Sequence, residues 1–157
     1  MELTIREATI DDLESVLELN RKLFEYEYEN HDKSLDLEWT FSEEGKKYFK
    51  ERILSKDSLV IVAVLKGEVV GYLCGSITEG EFFRKIGKVA ELENTFVLEE
   101  HRRKGIGTKL FRRFLDWCRA RGVERVKVYA YSDNKNAISF YRKNGFKDYV
   151  VYLEMEI

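Results

Sequence analysis

A short basic segment containing two glycines is the first part of the chain whose residue types indicate chemistry. It reads Arg102-Arg103-Lys104-Gly105-Ile106-Gly107-Thr108 and joins a predicted strand to a predicted helix. The first amide groups of a helix have no partner inside the helix, and the helix dipole is positive at that end. The glycines let an anion approach the backbone, and the basic side chains add charge. We call residues 102–108 the cradle; it predicts a phosphate site, with a solvated basic turn as the alternative.

Two other phosphate motifs do not fit the cradle. A dinucleotide fingerprint requires a third glycine where Leu110 stands, and a P-loop requires Lys and then Ser or Thr after its last glycine, where this chain has Thr108-Lys109. Nucleic-acid binding is a further alternative, because basic residues continue along the following helix. Helical spacing scatters these residues, however, and no stacking aromatics lie among them. We therefore expect no nucleic-acid partner.

A second candidate region combines acidic and aromatic side chains near the start of the chain. Aromatic faces and a negative field together suit a bound cation. The alternative is a solvated acidic surface, which is the commoner meaning of such a run. Tyr26, Tyr28 and Trp39 lie among the acidic residues Glu25, Glu27, Glu29, Asp32, Asp36, Glu38, Glu43 and Glu44.

Hydrophobic periodicity predicts the elements that must position these residues. The order is β-α-α-β-β-β-α-β-α-β, a mixed and mostly antiparallel α/β sheet flanked by helices, in one domain that covers residues 1–157. The predicted strands are 3–7, 59–65, 69–77, 89–97, 126–131 and 150–157, and the predicted helices are 9–24, 42–54, 106–121 and 136–144.

The composition is that of an ordinary globular domain. Of 157 residues, 44% are apolar and 36% charged, with 29 acidic against 27 basic residues, which excludes a disordered or disulfide-rich class. No apolar run approaches the roughly 18 residues of a membrane span, and the first residues lack a signal-peptide pattern. We expect a cytoplasmic protein without a membrane partner, in which Cys74 and Cys118 are buried thiols.

Two motifs taken together are much more specific than either alone. Arg-x-x-Gly-x-Gly opens a helix at Arg102, and Asn-x-x-Ala-x-x-Phe-Tyr-x-x-x-Gly-Phe follows the next strand from Asn134. This pair, with the order of elements, resembles the GCN5-related N-acetyltransferase (GNAT) superfamily. The resemblance implies acetyl-CoA as acetyl donor, a primary amine as acceptor, no metal, and a homodimer.

The resemblance also implies roles for individual residues. The cradle, meaning Arg102, Arg103, Lys104, Gly105, Ile106, Gly107 and Thr108, would hold the pyrophosphate of the coenzyme. Thr95, Phe96 and Val97 would pair with its pantetheine arm, Asn134 and Ala137 would line it, and Tyr141 would face its sulfur.

Three further segments resemble spermidine/spermine N1-acetyltransferases. These are Tyr26-Glu27-Tyr28, Ile86-Gly87-Lys88 and the strand 92–97. By this resemblance Tyr26 and Glu27 would contact a polyamine and Glu93 would be the base. One departure is that Phe82-Phe83-Arg84-Lys85 stands where those enzymes place an acid before Ile-Gly-Lys.

The implied reaction requires an acid and a base. An alkyl ammonium with a pKa near 10 must lose a proton before it attacks a thioester. Glu91 and Glu93 share one strand face, and Glu93 is favoured because it lies nearer the cradle. A backbone amide near Phe96 or Val97 would stabilise the oxyanion, and Tyr141 would protonate the leaving thiolate. A protein N-terminus, a lysine or an aminoglycoside are alternative acceptors, and a non-catalytic acyl-CoA-binding module is the alternative class.

Overall fold

The computed structural model describes residues 2–157. These residues form five strands and four helices, with two short 3₁₀ turns at Ile10–Asp12 and Glu99–His101. The strands are β1 (Leu3–Glu7), β2 (Ser58–Leu65), β3 (Glu68–Thr78), β4 (Lys88–Val97) and β5 (Val123–Val128), and the helices are α1 (Leu13–Asn30), α2 (Glu43–Leu54), α3 (Ile106–Ala120) and α4 (Lys135–Lys143).

The strands form one sheet in the order β1-β2-β3-β4-β5. All neighbours are antiparallel except β4 and β5, which are parallel. Helices α1 and α2 pack on one face of the sheet, and α3 with the apolar side of α4 packs on the other. Because β2 is covered on both faces, it reads as a nearly continuous apolar run. The predicted fold class, a mostly antiparallel sheet flanked by helices, is confirmed.

Strands β4 and β5 stop pairing halfway along β4. Their pairing runs from Lys88 opposite Val123 to Leu92 opposite Val128. Beyond that point β4 continues to Val97 while pairing only with β3. The result is an opening between the end of β4 and the residues that follow β5, and backbone groups of β4 face into it.

A β-bulge marks the place where the opening begins. Asn94 lies opposite Cys74 and Leu92 lies opposite Gly75, so Glu93 is the extra residue on β4. A bulge bends its strand and re-aims the side chains that follow it. The sequence alternation gave no sign of this bulge.

A chain of buried hydrogen bonds holds the bulge against both helices of that face. The Thr40 hydroxyl donates to Asn20 Oδ1 (2.7 Å), Asn20 Nδ2 donates to the Tyr72 hydroxyl (3.0 Å), and that hydroxyl donates to Asn94 Oδ1 (2.6 Å). Asn94 Nδ2 then donates to the Tyr48 hydroxyl (3.2 Å). Buried polar groups need such partners, and here they connect α1, β3, β4 and α2.

The predicted last strand, 150–157, is wrong for the chain as the structure describes it. Residues 147–157 make no strand pairing and are exposed. An alternating apolar pattern specifies a strand only where a neighbouring edge is available to it, and this segment does not reach β5. Within residues 2–157 we also find no helix that is both long enough and apolar enough to cross a bilayer.

Candidate active site

The mouth of the opening is built where α1, β4 and the cradle meet. The Arg102 guanidinium lies over the ring of Phe96 (4.9 Å) and near the ring of Tyr26 (5.9 Å). Its Nε donates to the Val97 carbonyl at 2.8 Å. Tyr26 of α1, predicted to contact the amine, is thus brought to the adjoining end of β4 and the cradle, which are predicted to bind the coenzyme. Arg102 also fixes the cradle to the end of β4.

The cradle itself turns sharply into α3. Arg103 (φ 63°) and Gly105 (φ 78°) both adopt left-handed backbone conformations, and Ile106 is buried beneath the turn. Gly105 is the N-cap of α3 and supplies no side-chain cap. The amides of the first helical turn therefore have no side-chain partner from the N-cap, which is compatible with the predicted anion site.

Gly107 is not required for packing. A Cβ atom at this position would lie 3.7 Å from the nearest ring atoms of Phe140, which is ordinary van der Waals contact. An alanine would therefore fit the protein itself. What a larger side chain would obstruct is the approach of a ligand to the helix start.

Asn134, Ala137 and Thr95 each have a structural role that the sequence did not reveal. Asn134 is the N-cap of α4, and its Oδ1 accepts from the Ala137 amide at 3.2 Å. The Thr95 hydroxyl donates to the Tyr72 carbonyl at 2.8 Å across the sheet. Both arrangements place residues predicted to line the coenzyme on the borders of the opening.

Tyr141 lies on α4 facing the interior. Its ring packs edge-on against Phe146 at 5.5 Å, and burial, with a further contribution from the charge of Glu27, raises the pKa of Tyr141 to about 12. The hydroxyl therefore stays protonated throughout the neutral range, as a proton donor must.

Glu27 is the acidic residue of α1 that turns inward. It is half-buried, and burial raises its pKa, with Asp32 adding to the rise and His31 opposing it. Its charge also reaches Tyr131, whose pKa is raised chiefly by burial. Neighbouring Glu25 and Glu29, by contrast, are exposed. Of the predicted acidic run on this helix, Glu27 is therefore the residue that turns inward.

His31 was not predicted to take part in any site. Its side chain is only 6% exposed, and Nδ1 lies 2.7 Å from Asp133 Oδ1. The imidazole stacks on Tyr131 (5.4 Å) and meets Tyr26 edge-on (5.8 Å). These contacts join the end of α1 to the turn before α4, and no local pattern in the sequence signals them.

Glu93, the carboxylate that the sequence analysis favoured as the base, is paired with a cation. Arg52 of α2 donates to both of its oxygens, through Nε at 3.2 Å and Nη2 at 2.9 Å, and the pairing raises the pKa of Arg52. The guanidinium also lies 3.9 Å from the centre of the Tyr48 ring. Both oxygens of this carboxylate are therefore already engaged by the guanidinium, which an incoming proton would have to compete with.

Glu91, the other carboxylate considered as base, lies beside this pair. Burial raises its pKa, and the charge of Glu93 raises it further. Lys127 Nζ is 3.9 Å from its Oε1. Glu91 precedes the bulge, where β4 is still paired with β5, so it lies outside the opening.

The comparison with known proteins agrees with this geometry. The model of the acetyltransferase (GNAT) family matches residues 13–146, and the chain therefore belongs to that family. It is an acetyl-CoA-dependent N-acetyltransferase. A spermidine N(1)-acetyltransferase of Thermoplasma acidophilum is 27% identical over 155 residues, which are 94% of this chain and 89% of that protein.

Two further proteins are similar to this chain over most of its length. An uncharacterized N-acetyltransferase of Methanocaldococcus jannaschii is 30% identical over 149 residues; the match takes in 92% of this chain and 61% of that longer protein. The crystal structure of the PaiA N-acetyltransferase of Thermoplasma acidophilum, in complex with coenzyme A, superposes with a TM-score of 0.80 at 25% identity. That match covers 94% of this chain and 91% of the other.

Proposed function

We propose that this enzyme transfers the acetyl group of acetyl-CoA to a primary amine of a small cationic molecule, with a polyamine as the preferred class. The observation that carries the proposal lies at the mouth of the opening in the sheet, where Tyr26 meets Arg102 and Phe96 and the charge of the half-buried Glu27 acts on the buried phenol of Tyr141. A carboxylate there attracts an ammonium group, and a protonated phenol there can complete acyl transfer.

The residues present fit the coenzyme. The uncapped start of α3 and the exposed side chains of Arg103 and Lys104 suit the pyrophosphate, and the free side of β4 at Thr95 to Val97 suits the amide groups of pantetheine. When bound, the coenzyme supplies an acetyl thioester. A backbone amide on that side of β4 would stabilise the oxyanion formed by attack of the amine, and Tyr141 would protonate the departing sulfur.

A cationic acceptor is supported by the surroundings of Glu27. Tyr26 and Tyr131 place aromatic faces close to this carboxylate through their contacts with His31, and aromatic faces attract ammonium groups. The similarity to a spermidine acetyltransferase points the same way. Phe82 and Phe83, at the place where the polyamine family has an acid, leave the second ammonium group without a partner on that side.

Two carboxylates qualify to accept the proton of the amine. Glu93 was predicted from the resemblance, and it lies at the bulge where the opening begins, but Arg52 engages both of its oxygens. Glu27 has a pKa raised by burial, and its charge contributes to the raised pKa of Tyr141. A raised pKa brings a carboxylate closer to the value suited to a general base near neutral pH.

The acceptor is tested by thiol release from acetyl-CoA against a panel of amines. The panel pairs spermidine with butylamine, which lacks a second charge, and adds an aminoglycoside, a lysine peptide and a peptide with a free N-terminus. We expect spermidine to give the highest kcat/KM, with a KM that rises with ionic strength because charge attraction is screened. A preference for butylamine or for either peptide would refute the polyamine assignment. Coenzyme binding with no thiol release for any amine would instead indicate a binding module.

A further inference from the structure

His31 is a buried histidine that the proposed chemistry does not use. Its side chain is 6% exposed, and both ring nitrogens are shielded from solvent. Within residues 2–157 the Nε2 atom has no hydrogen-bond partner. Burying a polar group without a partner costs free energy that an apolar side chain in the same place would not cost. An imidazole at this position therefore indicates a requirement other than stability.

The imidazole contacts two tyrosines from distant parts of the chain. It stacks on the ring of Tyr131 at 5.4 Å, with an angle of 18° between the two planes. It meets the ring of Tyr26 edge-on at 5.8 Å. Because Tyr26 belongs to α1 and Tyr131 precedes α4, a single side chain sets the spacing between the two rings. Aromatic faces of this kind attract ammonium groups.

Two polar contacts fasten the end of α1 to the turn before α4. His31 Nδ1 lies 2.7 Å from Asp133 Oδ1, and the two form an ion pair when the imidazole is protonated. The Tyr131 hydroxyl donates to Asp32 Oδ2 at 3.2 Å. The turn also has a hydrogen bond of its own, because the Asn134 amide donates to the Tyr131 carbonyl at 2.9 Å. The end of α1 is therefore joined to an ordered turn.

The same end of α1 also contacts the cradle. The Arg102 guanidinium lies 5.9 Å from the centre of the Tyr26 ring and 4.9 Å from that of Phe96. The last turn of α1 is thus held both by the cradle and by the turn before α4. Glu27 lies within this last turn, and its carbonyl accepts from the His31 amide at 2.8 Å. A displacement of His31 would therefore displace Tyr26 and Glu27 with it.

His31 also acts on the charge of Glu27. Burial raises the pKa of Glu27, and the charge of the imidazole opposes that rise, whereas Asp32 adds to it. A protonated histidine at this position therefore favours the ionised carboxylate of Glu27. An apolar ring of similar size would pack against the same tyrosines but would not have this effect.

We propose that His31 is a positioning residue for the acceptor side of the site. Its ring and its contact with Asp133 fix the last turn of α1 against the turn before α4, and so set where Tyr26 and Glu27 meet the ammonium group of the amine. His31 itself does not touch the amine, because both of its nitrogens are buried. This role rests on the proposed function, in which the amine binds at this end of α1.

Steady-state kinetics with the amine that wild type acetylates best test this role. His31→Ala should lower kcat/KM for the amine by about 10–100-fold, because misplaced binding groups have effects of that size. The loss should lie mainly in the KM of the amine, and the KM of acetyl-CoA should stay unchanged, because α4 and the cradle keep their own contacts. Asp133→Asn should raise the KM of the amine about 2–5-fold. It should change Tm little, since the Asp133 side chain is 64% exposed.

A double variant and a control separate positioning from a general loss of structure. His31→Phe keeps a ring but removes the ion pair, so it should resemble Asp133→Asn rather than His31→Ala. Adding Asp133→Asn to His31→Phe should have no further effect, because the pair is already gone. Asp116→Asn is the matched control and should leave the KM of the amine unchanged. Its side chain is 72% exposed and pairs with Arg119 at 3.6 Å near the end of α3.

The results separate the role of His31 from the identity of the acceptor. An unchanged KM of the amine in His31→Ala, or additive effects of His31→Phe and Asp133→Asn, would overturn this role while the proposed function stands. So would an equal rise in the KM of acetyl-CoA. If His31→Ala does not fold, Asp133→Asn decides, and an unchanged KM of the amine in that variant overturns the role. Thiol release by wild type with no amine would instead overturn the proposed function, and this role with it.

Discussion

Replacing Arg52 by methionine should leave the carboxylate of Glu93 charged and without its partner. The side chain of Glu93 is 14% exposed and that of Arg52 is 26% exposed, so water can replace the guanidinium only in part. Removing one partner of a buried ion pair costs about 3–5 kcal/mol, and the partial exposure of Arg52 places this case at about 3 kcal/mol. At roughly 2–4 °C per kcal/mol for a chain of this length, Tm should fall by about 6–12 °C.

A second substitution tests the cause of this loss. Glu93→Gln, introduced into the Arg52→Met protein, removes the unpaired negative charge. It should recover most of the lost stability, because a neutral amide costs much less to bury than a carboxylate. In the wild-type background the same Glu93→Gln should destabilise, since Arg52 is then the unpaired group. The two substitutions should therefore be strongly non-additive.

The dependence on pH follows from the same charge. In Arg52→Met, the carboxylate of Glu93 is buried without a partner, and it is costly only while it carries its charge. A carboxylate with a raised folded pKa destabilises the fold only where the unfolded chain would ionise it. The Tm deficit relative to wild type should therefore shrink as pH falls from 7.5 toward 4.5, and it should not shrink in the double variant.

Thermal unfolding followed by circular dichroism at four pH values measures all of these effects. Lys47→Met is the matched control on the same helix, because the pair between Lys47 and Glu51 is long (3.9 Å) and exposed, and such pairs contribute at most about 1 kcal/mol. An Arg52→Met protein as stable as this control would refute the reasoning. So would a deficit independent of pH, or one that Glu93→Gln does not relieve.

Three further predictions concern the coenzyme and the two catalytic roles. Gly107→Val should abolish the rise in Tm that acetyl-CoA produces in wild type while leaving the Tm of the free protein nearly unchanged; undiminished binding would show that the cradle is wrongly placed. Tyr141→Phe should lower kcat by about 10²–10⁴-fold at every pH. Loss of the base, tested by Glu93→Gln and Glu27→Gln separately, should be partly rescued at high pH, where more of the amine is neutral. If high pH rescues neither variant, neither residue is the base. Because burial raises the pKa of Glu27, its charge opposes folding above its unfolded pKa, so Glu27→Gln should raise Tm at pH 7.5 but not at pH 4; an equal rise at both would exclude a charge effect.

The sequence predicted what depends on local pattern. The apolar run of β2, the one-sided helix α3 and the Gly105 turn each follow from residues that are neighbours in the chain, and all are present. The two family motifs added the combination of cradle and Tyr141. Packing of the helices on the sheet brings the end of α1 to the turn before α4, where His31 lies 2.7 Å from Asp133, although the two helices are far apart in sequence.

The rest could not be predicted because it depends on contacts between distant residues. The pairing of Arg52 with Glu93 joins α2 to β4, and the stacking of His31 on Tyr131 joins α1 to the turn before α4. Neither has a periodic or spaced signature. The strand predicted at 150–157 failed for a different reason, since alternation reports that a segment can form a strand but does not report which edge it will join.

The buried chain from Thr40 to Tyr48 has a direction. Each hydrogen bond donates onward to the next residue, and the chain ends beside Glu93, whose charge contributes to the raised pKa of Tyr48, although burial is the main cause. Its dipoles therefore add together and point their positive ends toward that carboxylate. Two of its members, Asn20 and Asn94, are amides, which orient a dipole but cannot pass a proton along. A proton taken up at Glu93 would therefore have no exit along this chain of hydrogen bonds.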